Sequence, residues 1–595
     1  MNSKINRCSS KQLAEIFCCM ALTLLGVLVY ANHFHNTFQF DSVAYITNNL
    51  NLKNPESMLT VQFWITEFFA RGLLRISMGY NAYLDGLRPF GYHVFNLALH
   101  IFNAILVFYI FQKALIHFKN LDRQVSSNTS ISFFAAVIFM VHPIQTESVI
   151  YIISRSEVMA ATFYLLGFLL FQICLDLDKH RLFLKYLLLP LVLILIALVG
   201  FSVKQTLATF PLILVLYFLF ISPPDSSAIQ LLKKYNWQVI LIFSIFIGLL
   251  FHKLLSDETF LIGPSKPEEM VGRAKYMLSQ PVVIVYYYFN KILFPFNLNI
   301  DPDIEIVASL ASLKFISSLV GIALIFWFSL RKVAWRLFIF FLCWFFIILS
   351  PSSSIVTLHD LAAEHRVYLA TPGMIFIFTY AVFGLFKNSA SIAANHKGIF
   401  AVSVFCSLVL IFGVLSSKRN SIWQTELTLW QDTYKKSPNK LRPLINLARA
   451  HSIEGNTQQS IRYYEESFAK DPYIFVVNYN LGELYLNEGR TEEAIKRFET
   501  ALRIDPEIPE TYSKLGEIYL SQKDWKKADF YFKKCIEINP RMSQVFKNLG
   551  VLHLYHLQNL KESLVYFSRS LTLDPTQKEA DKIRQIMIQI SSKEN

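Results

Sequence analysis

NYNLGELYLNEGRTEEAIKRFETALRIDP, residues 478–506, is the stretch that decides the architecture of the C-terminal part of this chain. It opens with Leu481 followed by the small Gly482, places Phe498 in its second half and closes on Asp505-Pro506. The same order recurs on both sides. Four prolines preceded by Asp or Asn, Pro472, Pro506, Pro540 and Pro575, follow one another at intervals of 34, 34 and 35 residues. Leu447, Leu481, Leu515 and Leu549 share one position, followed by Ala448, Gly482, Gly516 and Gly550. Tyr464, Phe498, Phe532 and Phe567 share another. The pattern predicts a pair of helices per period, the small residue letting the first helix approach the bulky ring of the second. Such a pair buries its apolar face only by stacking on its neighbours.

A period of 34 is that of the tetratricopeptide repeat. The extra residue of the fourth repeat falls around Leu557–Asn559, where a turn tolerates it. Residues 423–438, with Trp423, Trp430 and Pro438, read as a half-repeat joining the stack to what precedes it, and residues 577–592 as the capping helix an array needs. Cys535 stands alone in the repeats, at a position that normally holds a small buried residue. The expected organisation is a membrane domain over 1–420, a connector over 421–440, four repeats over 441–575, and a capping helix and tail over 576–595.

The membrane domain follows from composition. The 595 residues are 53% hydrophobic and 17% charged, against about 25% charged in soluble chains, and the mean hydropathy is +0.38. Apolar runs long enough to span occur near 14–32, 91–112, 131–151, 157–175, 183–201, 206–222, 238–254, 313–330, 335–350, 371–387 and 398–416. The first is read as an uncleaved span, because no small-residue cleavage site follows it. A further run, 278–296, is interrupted by Asn290, Lys291 and Pro295. With the N-terminus inside, the inner loops hold Lys113, Lys119 and Arg123; Lys179, Arg181 and Lys185; Lys233 and Lys234; Arg331, Lys332 and Arg336; and Lys387 with Lys397. That order obeys the positive-inside rule if 278–296 does not cross, giving eleven crossings and repeats on the outer side. The net charge of +13 is thereby assigned to loops and anionic headgroups, not to nucleic acid. The cysteines show neither a disulfide framework nor metal-ligand spacing. In the outer loop, Phe63, Trp64, Phe68, Phe69, Leu73 and Leu74 alternate with Glu67, Arg71 and Arg75. That stretch suits either the headgroup plane or packing on neighbouring spans.

Candidate functional residues gather at the outer ends of the spans. Asp41 comes just after the first span and is either a general base for a hydroxyl or an ordinary helix cap. His93, Asn96 and His100 share one helix face, which lines a cavity or bonds to other helices. Glu147, Arg155 and Glu157 form a charged set that holds phosphate or sugar hydroxyls, or simply a salt-bridged turn. Lys204 lies between two later spans, and Glu364, Arg366 and Tyr368 precede another.

Phe40-Asp41, Arg88-Pro89-Phe90-Gly91-Tyr92-His93-Val94-Phe95-Asn96, His142-Pro143-Ile144-Gln145-Thr146-Glu147-Ser148-Val149, Ser154-Arg155-Ser156-Glu157, Ser202-Val203-Lys204 and Glu364-His365-Arg366-Val367-Tyr368-Leu369, in that order, resemble the transmembrane and tetratricopeptide-repeat O-mannosyltransferases and their bacterial relatives. The resemblance, within the C-type glycosyltransferases, runs through nearly the whole chain. It implies an all-α enzyme that moves a sugar from a polyprenyl phosphate to a hydroxyl on the exoplasmic side, with inversion. Asp41 is then the expected base. Lys204, Arg155 and Arg366 are expected at the donor phosphate, and His93, Glu147 and Glu364 at the sugar or acceptor. The repeats are expected to hold an acceptor or partner protein, in a bacterial inner membrane or the endoplasmic reticulum. No cofactor beyond the lipid-linked sugar substrate is implied. Two positions depart from the family pattern. Ser42 stands where a second acid is usual, and Gln205 follows Lys204 where an acid is usual. Glu147 or Asp85 would have to supply a second carboxylate.

Overall fold

The computed structural model describes residues 2–47, 60, 71–119, 128–177, 188–221, 271–332, 334–355, 357–388 and 397–594. The expected span 238–254, the residues Phe63, Trp64, Glu67, Phe68 and Phe69, and the loop charges Arg123, Lys179, Arg181, Lys185, Lys233 and Lys234 lie outside them. The described residues are helical, without a strand. They form two compact units, Met1–Ser437 and Pro438–Asn595.

Among the described residues of the first unit, six helices are long and apolar enough to cross a membrane: Gln12–His33, Pro89–Phe118, Ile152–Asp176, Leu313–Leu330, Trp335–Ser353 and Ile399–Ile422. Shorter apolar helices cover Leu189–Phe201, Gln205–Phe220 and Thr371–Phe386. The run expected as one span over 131–151 is bent by 51° between Thr129–Val141 and Pro143–Ile150. The cause is local. Pro143 has no N–H to donate and forces His142 into extended backbone (ψ 127°), while His142 Nδ1 accepts the Ile144 N–H. The interrupted run forms a continuous helical stretch over 273–293, and it is not among the long apolar helices of the described residues.

Burial sorts the spans. Half or more of Pro89–Phe118, Ile152–Asp176 and Trp335–Ser353 is buried, against 11–17% of Gln12–His33, Leu313–Leu330 and Ile399–Ile422. The first three form the interior; the others turn apolar side chains outward, as helices facing lipid do. Helix Asn128–Val141 packs on Asn2–Tyr30, Pro89–Lys119, Thr371–Asn388 and Lys397–Ile422, so it is central. Residues 426–436, read as part of a half-repeat, form a helix of this first unit, capped by the reciprocal Thr425–Thr428 pair. Trp430 packs edge-on against Phe40 and Trp423 stacks on Tyr151.

The second unit is four helix pairs, from Leu441–Ile453 with Thr457–Lys470 to Ser543–Tyr555 with Leu560–Leu573, and a final helix Ala580–Glu594. Leu447, Leu481, Leu515 and Leu549 are buried, as are Tyr464, Phe498, Phe532 and Phe567. The beat of the prolines has a local cause. Asp471, Asp505, Asn539 and Asp574 each accept the amide N–H two residues on, at 2.9, 3.2, 3.0 and 3.1 Å, closing the turn between repeats. Within each repeat the turn between the two helices needs one left-handed residue. It is Gly455, Gly489, Lys523 and Gln558, with φ between 55° and 77°.

Candidate active site

The site begins where the first span ends. Residues 32–42 are stitched to the end of the last long helix: Asn32 donates to the Ser417 carbonyl (2.9 Å), Asn36 to that of Asn420 (3.2 Å), and Gln39 to that of Trp423. Phe40 then takes a left-handed backbone, φ 52°, with its ring between Tyr151 and Trp430. A bulky residue rarely adopts this conformation, and it is held here by packing. The turn sends Asp41 outward and Ser42 inward: Asp41 is exposed, Ser42 buried. Burial first, then the Asp41 carboxylate, pushes the Tyr151 phenol well up.

Glu147 lies at the far side of the His142-Pro143 bend and is buried. Its Oε1 accepts the His365 Nδ1–H at 2.6 Å, and its Oε2 has no hydrogen-bond partner among the described residues. Next to His365, Glu364 is fully buried; its Oε1 accepts the Tyr287 hydroxyl (3.1 Å) and the Asn299 amide. Arg419 faces it at 3.6 Å and also meets Asp432 at 3.0 Å. Desolvation dominates, and with the nearby Glu147 charge pushes Glu364 up to about 7 against the pull of Arg419.

Lys204 contacts the Glu157 carboxylate. Burial, then repulsion from Arg71 and Arg366, lowers its pKa well below the usual lysine range. Arg366 donates to the Asp360 carbonyl at 2.8 Å and faces Tyr276.

Two expected site residues sit differently. The Arg155 guanidinium is fully buried and donates to Asn96 Oδ1 (2.7 Å), to the Ser77 carbonyl (2.9 Å) and hydroxyl (3.3 Å), and to the Tyr92 carbonyl (3.2 Å). It lies over Phe95 at 4.5 Å. Its donors are committed to joining the ends of three helices. His93 donates Nε2–H to the Asn36 carbonyl (3.0 Å) and packs edge-on against His33. Asn96 and His100 likewise bond to other helices, at Val149 and at Tyr368 and Met140. The polar stripe is therefore interhelical glue over this stretch. Asp85, the other possible second acid, pairs loosely with Arg88 at 3.8 Å.

Sequence reading gave no role to His365, Tyr151, Tyr287, Arg419 or Asp432. His365 stood in a quoted motif between two charged residues. Arg419 lies in the last turn of an apolar helix, and only packing turns it onto Glu364.

Comparison with known proteins covers both units unequally. Models described as TPR repeat and tetratricopeptide repeat match residues 482–523 and 509–542. A Mus musculus protein named protein O-mannosyl-transferase TMTC1 is 29% identical over 161 residues, 25% of this chain and 16% of that protein. The match thus spans about a sixth of that relative's length. A Caenorhabditis elegans protein also named protein O-mannosyl-transferase is 23% identical over 460 residues, 75% of this chain and 61% of that protein. That is far more than the repeat unit holds, so the likeness enters the membrane unit. Among solved structures, the MamA protein aligns with 26% of this chain and 83% of its own length at 21% identity and TM-score 0.24. The chain is thus a helical, repeat-bearing homologue of proteins named protein O-mannosyl-transferase.

Proposed function

We propose that this chain transfers one hexose, mannose or another, from a polyprenyl-phosphate donor to a hydroxyl of a protein or other acceptor on the exoplasmic face of a membrane. One observation carries the reading. Asp41, Glu147, Lys204, Glu364 and Arg366 come from four separate segments of the chain, each near the end of an apolar helix. Glu147 reaches His365 at 2.6 Å, and Asp41 and Glu364 both lie within electrostatic reach of the Tyr151–Glu147 region. The name shared by the relatives supports the same chemistry.

Asp41 is the exposed carboxylate, carried on a strained and clamped turn. As general base it takes the acceptor hydroxyl proton while that oxygen bonds to the anomeric carbon from the face opposite the phosphate. The carbon–oxygen bond to the phosphate breaks, the configuration inverts, and the polyprenyl phosphate departs carrying the electron pair. Lys204 and Arg366 are the cations for the charge that develops there. Arg155, with its donors committed, positions the helix ends instead of meeting the phosphate. Glu147, oriented by His365 and with one oxygen spare, serves as the second carboxylate that Ser42 does not provide, and shapes the sugar site with Glu364, while His93 holds the helices together behind it. The repeats hold the acceptor. A bacterial inner membrane with the repeats in the periplasm is the setting we favour, the endoplasmic reticulum with lumenal repeats being the alternative.

The test is purified full-length protein with radiolabelled polyprenyl-phosphate mannose, and separately glucose, and a protein acceptor. Asp41→Asn is expected to bind donor normally and to transfer about 10²–10⁴-fold more slowly. A wild-type rate in that variant would remove Asp41 as the base.

A further inference from the structure

A cavity of about 730 Å³ opens in the first unit between the 286–304 segment and the helix Glu426–Lys436. Its wall carries three lysines, Lys291, Lys435 and Lys436, against two aspartates, Asp303 and Asp432. Asp432 is already held by Lys436 at 2.6 Å and by Arg419 at 3.0 Å, which leaves Lys291 and Lys435 facing Asp303. Lys435 is exposed and makes no ion pair among the described residues. Lys291 donates to the Phe296 carbonyl, at 2.6 Å, and makes no ion pair among the described residues.

The depth of the cavity is set by two spans. Tyr286, in the wall, meets Ser317 hydroxyl to hydroxyl at 2.9 Å, and Ser317 lies at the start of the mostly exposed span Leu313–Leu330. Arg419 lies in the last turn of Ile399–Ile422. The lysines are therefore level with the ends of apolar helices, where headgroups sit. Beside them Leu293, Phe294 and Phe296 turn 53%, 61% and 54% of their surface outward. Cations next to an exposed apolar rim at that depth match a ligand with a charged head and an apolar tail.

We infer that this cavity binds the phosphate head of an amphiphile from the leaflet in which the candidate active site lies. Lys204 and Arg366 do not line it, but Tyr287 and Asn299, which do, donate to Glu364, so the cavity adjoins the candidate active site without sharing its proposed phosphate cations. The inference rests on this unit spanning a membrane and requires no sugar transfer. Two amphiphiles carry the chemistry, a bulk anionic phospholipid and a polyprenyl phosphate, and the experiment separates them.

Equilibrium binding of radiolabelled dioleoyl-phosphatidylglycerol, a polyprenyl monophosphate, dioleoyl-phosphatidylcholine and inorganic phosphate is measured on the full chain in neutral detergent, without sugar donor or acceptor. At least one of the first two is expected to saturate, and whichever does names the source. Lys435→Glu alone, on an exposed side chain, and together with Lys291→Gln is expected to weaken it about tenfold or more. Lys332→Glu, beyond the other end of Leu313–Leu330, is expected to change nothing. The site is overturned if neither anionic lipid saturates, if phosphatidylcholine or inorganic phosphate binds equally well, or if the cavity variants bind like wild type or no worse than Lys332→Glu. An inactive transferase that still binds lipid leaves this inference standing, and an active one that binds none refutes it alone.

Discussion

Phe40 and Asp41 are neighbours in opposite conditions: one backbone is strained into the left-handed region while the next side chain reaches solvent. Such strain costs on the order of 1–3 kcal/mol and persists only where packing imposes it. Tyr151 and Trp430 flank the Phe40 ring here, and Asp41, exposed, follows it with its carboxylate acting on the Tyr151 phenol. Glu364 shows a different use of burial. Its pKa, about 7, stands above the ordinary 4.5, so the folded state binds its proton more tightly than the unfolded chain does. The stability this contributes is fully present below the ordinary value and is lost as pH rises through about 7. Thermal unfolding of the full chain in detergent is therefore expected at lower temperature near about pH 8 than near about pH 5, and Glu364→Gln is expected to flatten that dependence. An equal slope in the variant would show that other groups set it.

The element that repeats is a helix pair closed by two local devices, an Asp or Asn that accepts an amide two residues on and one left-handed turn residue. The second device is imperfect in two repeats, where Lys523 and Gln558 stand in place of glycine. A side chain there costs about 1–2 kcal/mol, partly offset by the entropy glycine loses on folding. Lys523→Gly is expected to raise the unfolding midpoint of residues 438–595, a gain of roughly 0.5–1 kcal/mol. The small residue of the first helix is the reverse case. A Cβ built at Gly516 comes within 2.6 Å of the Phe532 ring. Gly516→Ala is expected to lower the same midpoint, by about 1–3 kcal/mol. If both variants unfold like wild type, neither backbone strain nor ring contact limits this unit.

At the scale of the whole molecule, the chain joins an apolar helical unit to a stack of four repeats and a terminal helix. Stacks of about three repeats suffice for independent folding. Residues 438–595 alone are expected to be soluble and helical and to bind the acceptor. The first unit alone is expected to cleave donor slowly to water, because the proposed base and phosphate cations all precede residue 370. Transfer by the truncated unit to the full acceptor set would deny the repeats a selecting role. The lysine and arginine bias of the inner loops predicts repeats on the outer side. A cysteine introduced at exposed Ser592 is therefore expected to react with an impermeant maleimide in spheroplasts. Reaction only after permeabilisation would reverse the topology.

Much of this was legible in the residues because it is written locally. The turn at Asp505-Pro506 involves atoms two residues apart, the stacking face of Leu481 and Phe498 follows a helical period, and an apolar run long enough to span is so by its own length. The sequence by itself determined the helical class, the repeats and the membrane half. The bend at His142-Pro143 was written there too, in a proline whose effect inside an apolar run was easy to pass over. Tertiary structure alone decided which charges meet. It paired Glu147 with His365, 218 positions away, turned Arg419 onto Glu364, and spent the donors of Arg155 on Asn96, Ser77 and Tyr92. A buried charge must find a partner, yet several acids and bases lie near the same ends of the spans. Their spacing along the chain does not rank the pairs, because the choice belongs to how the helices pack.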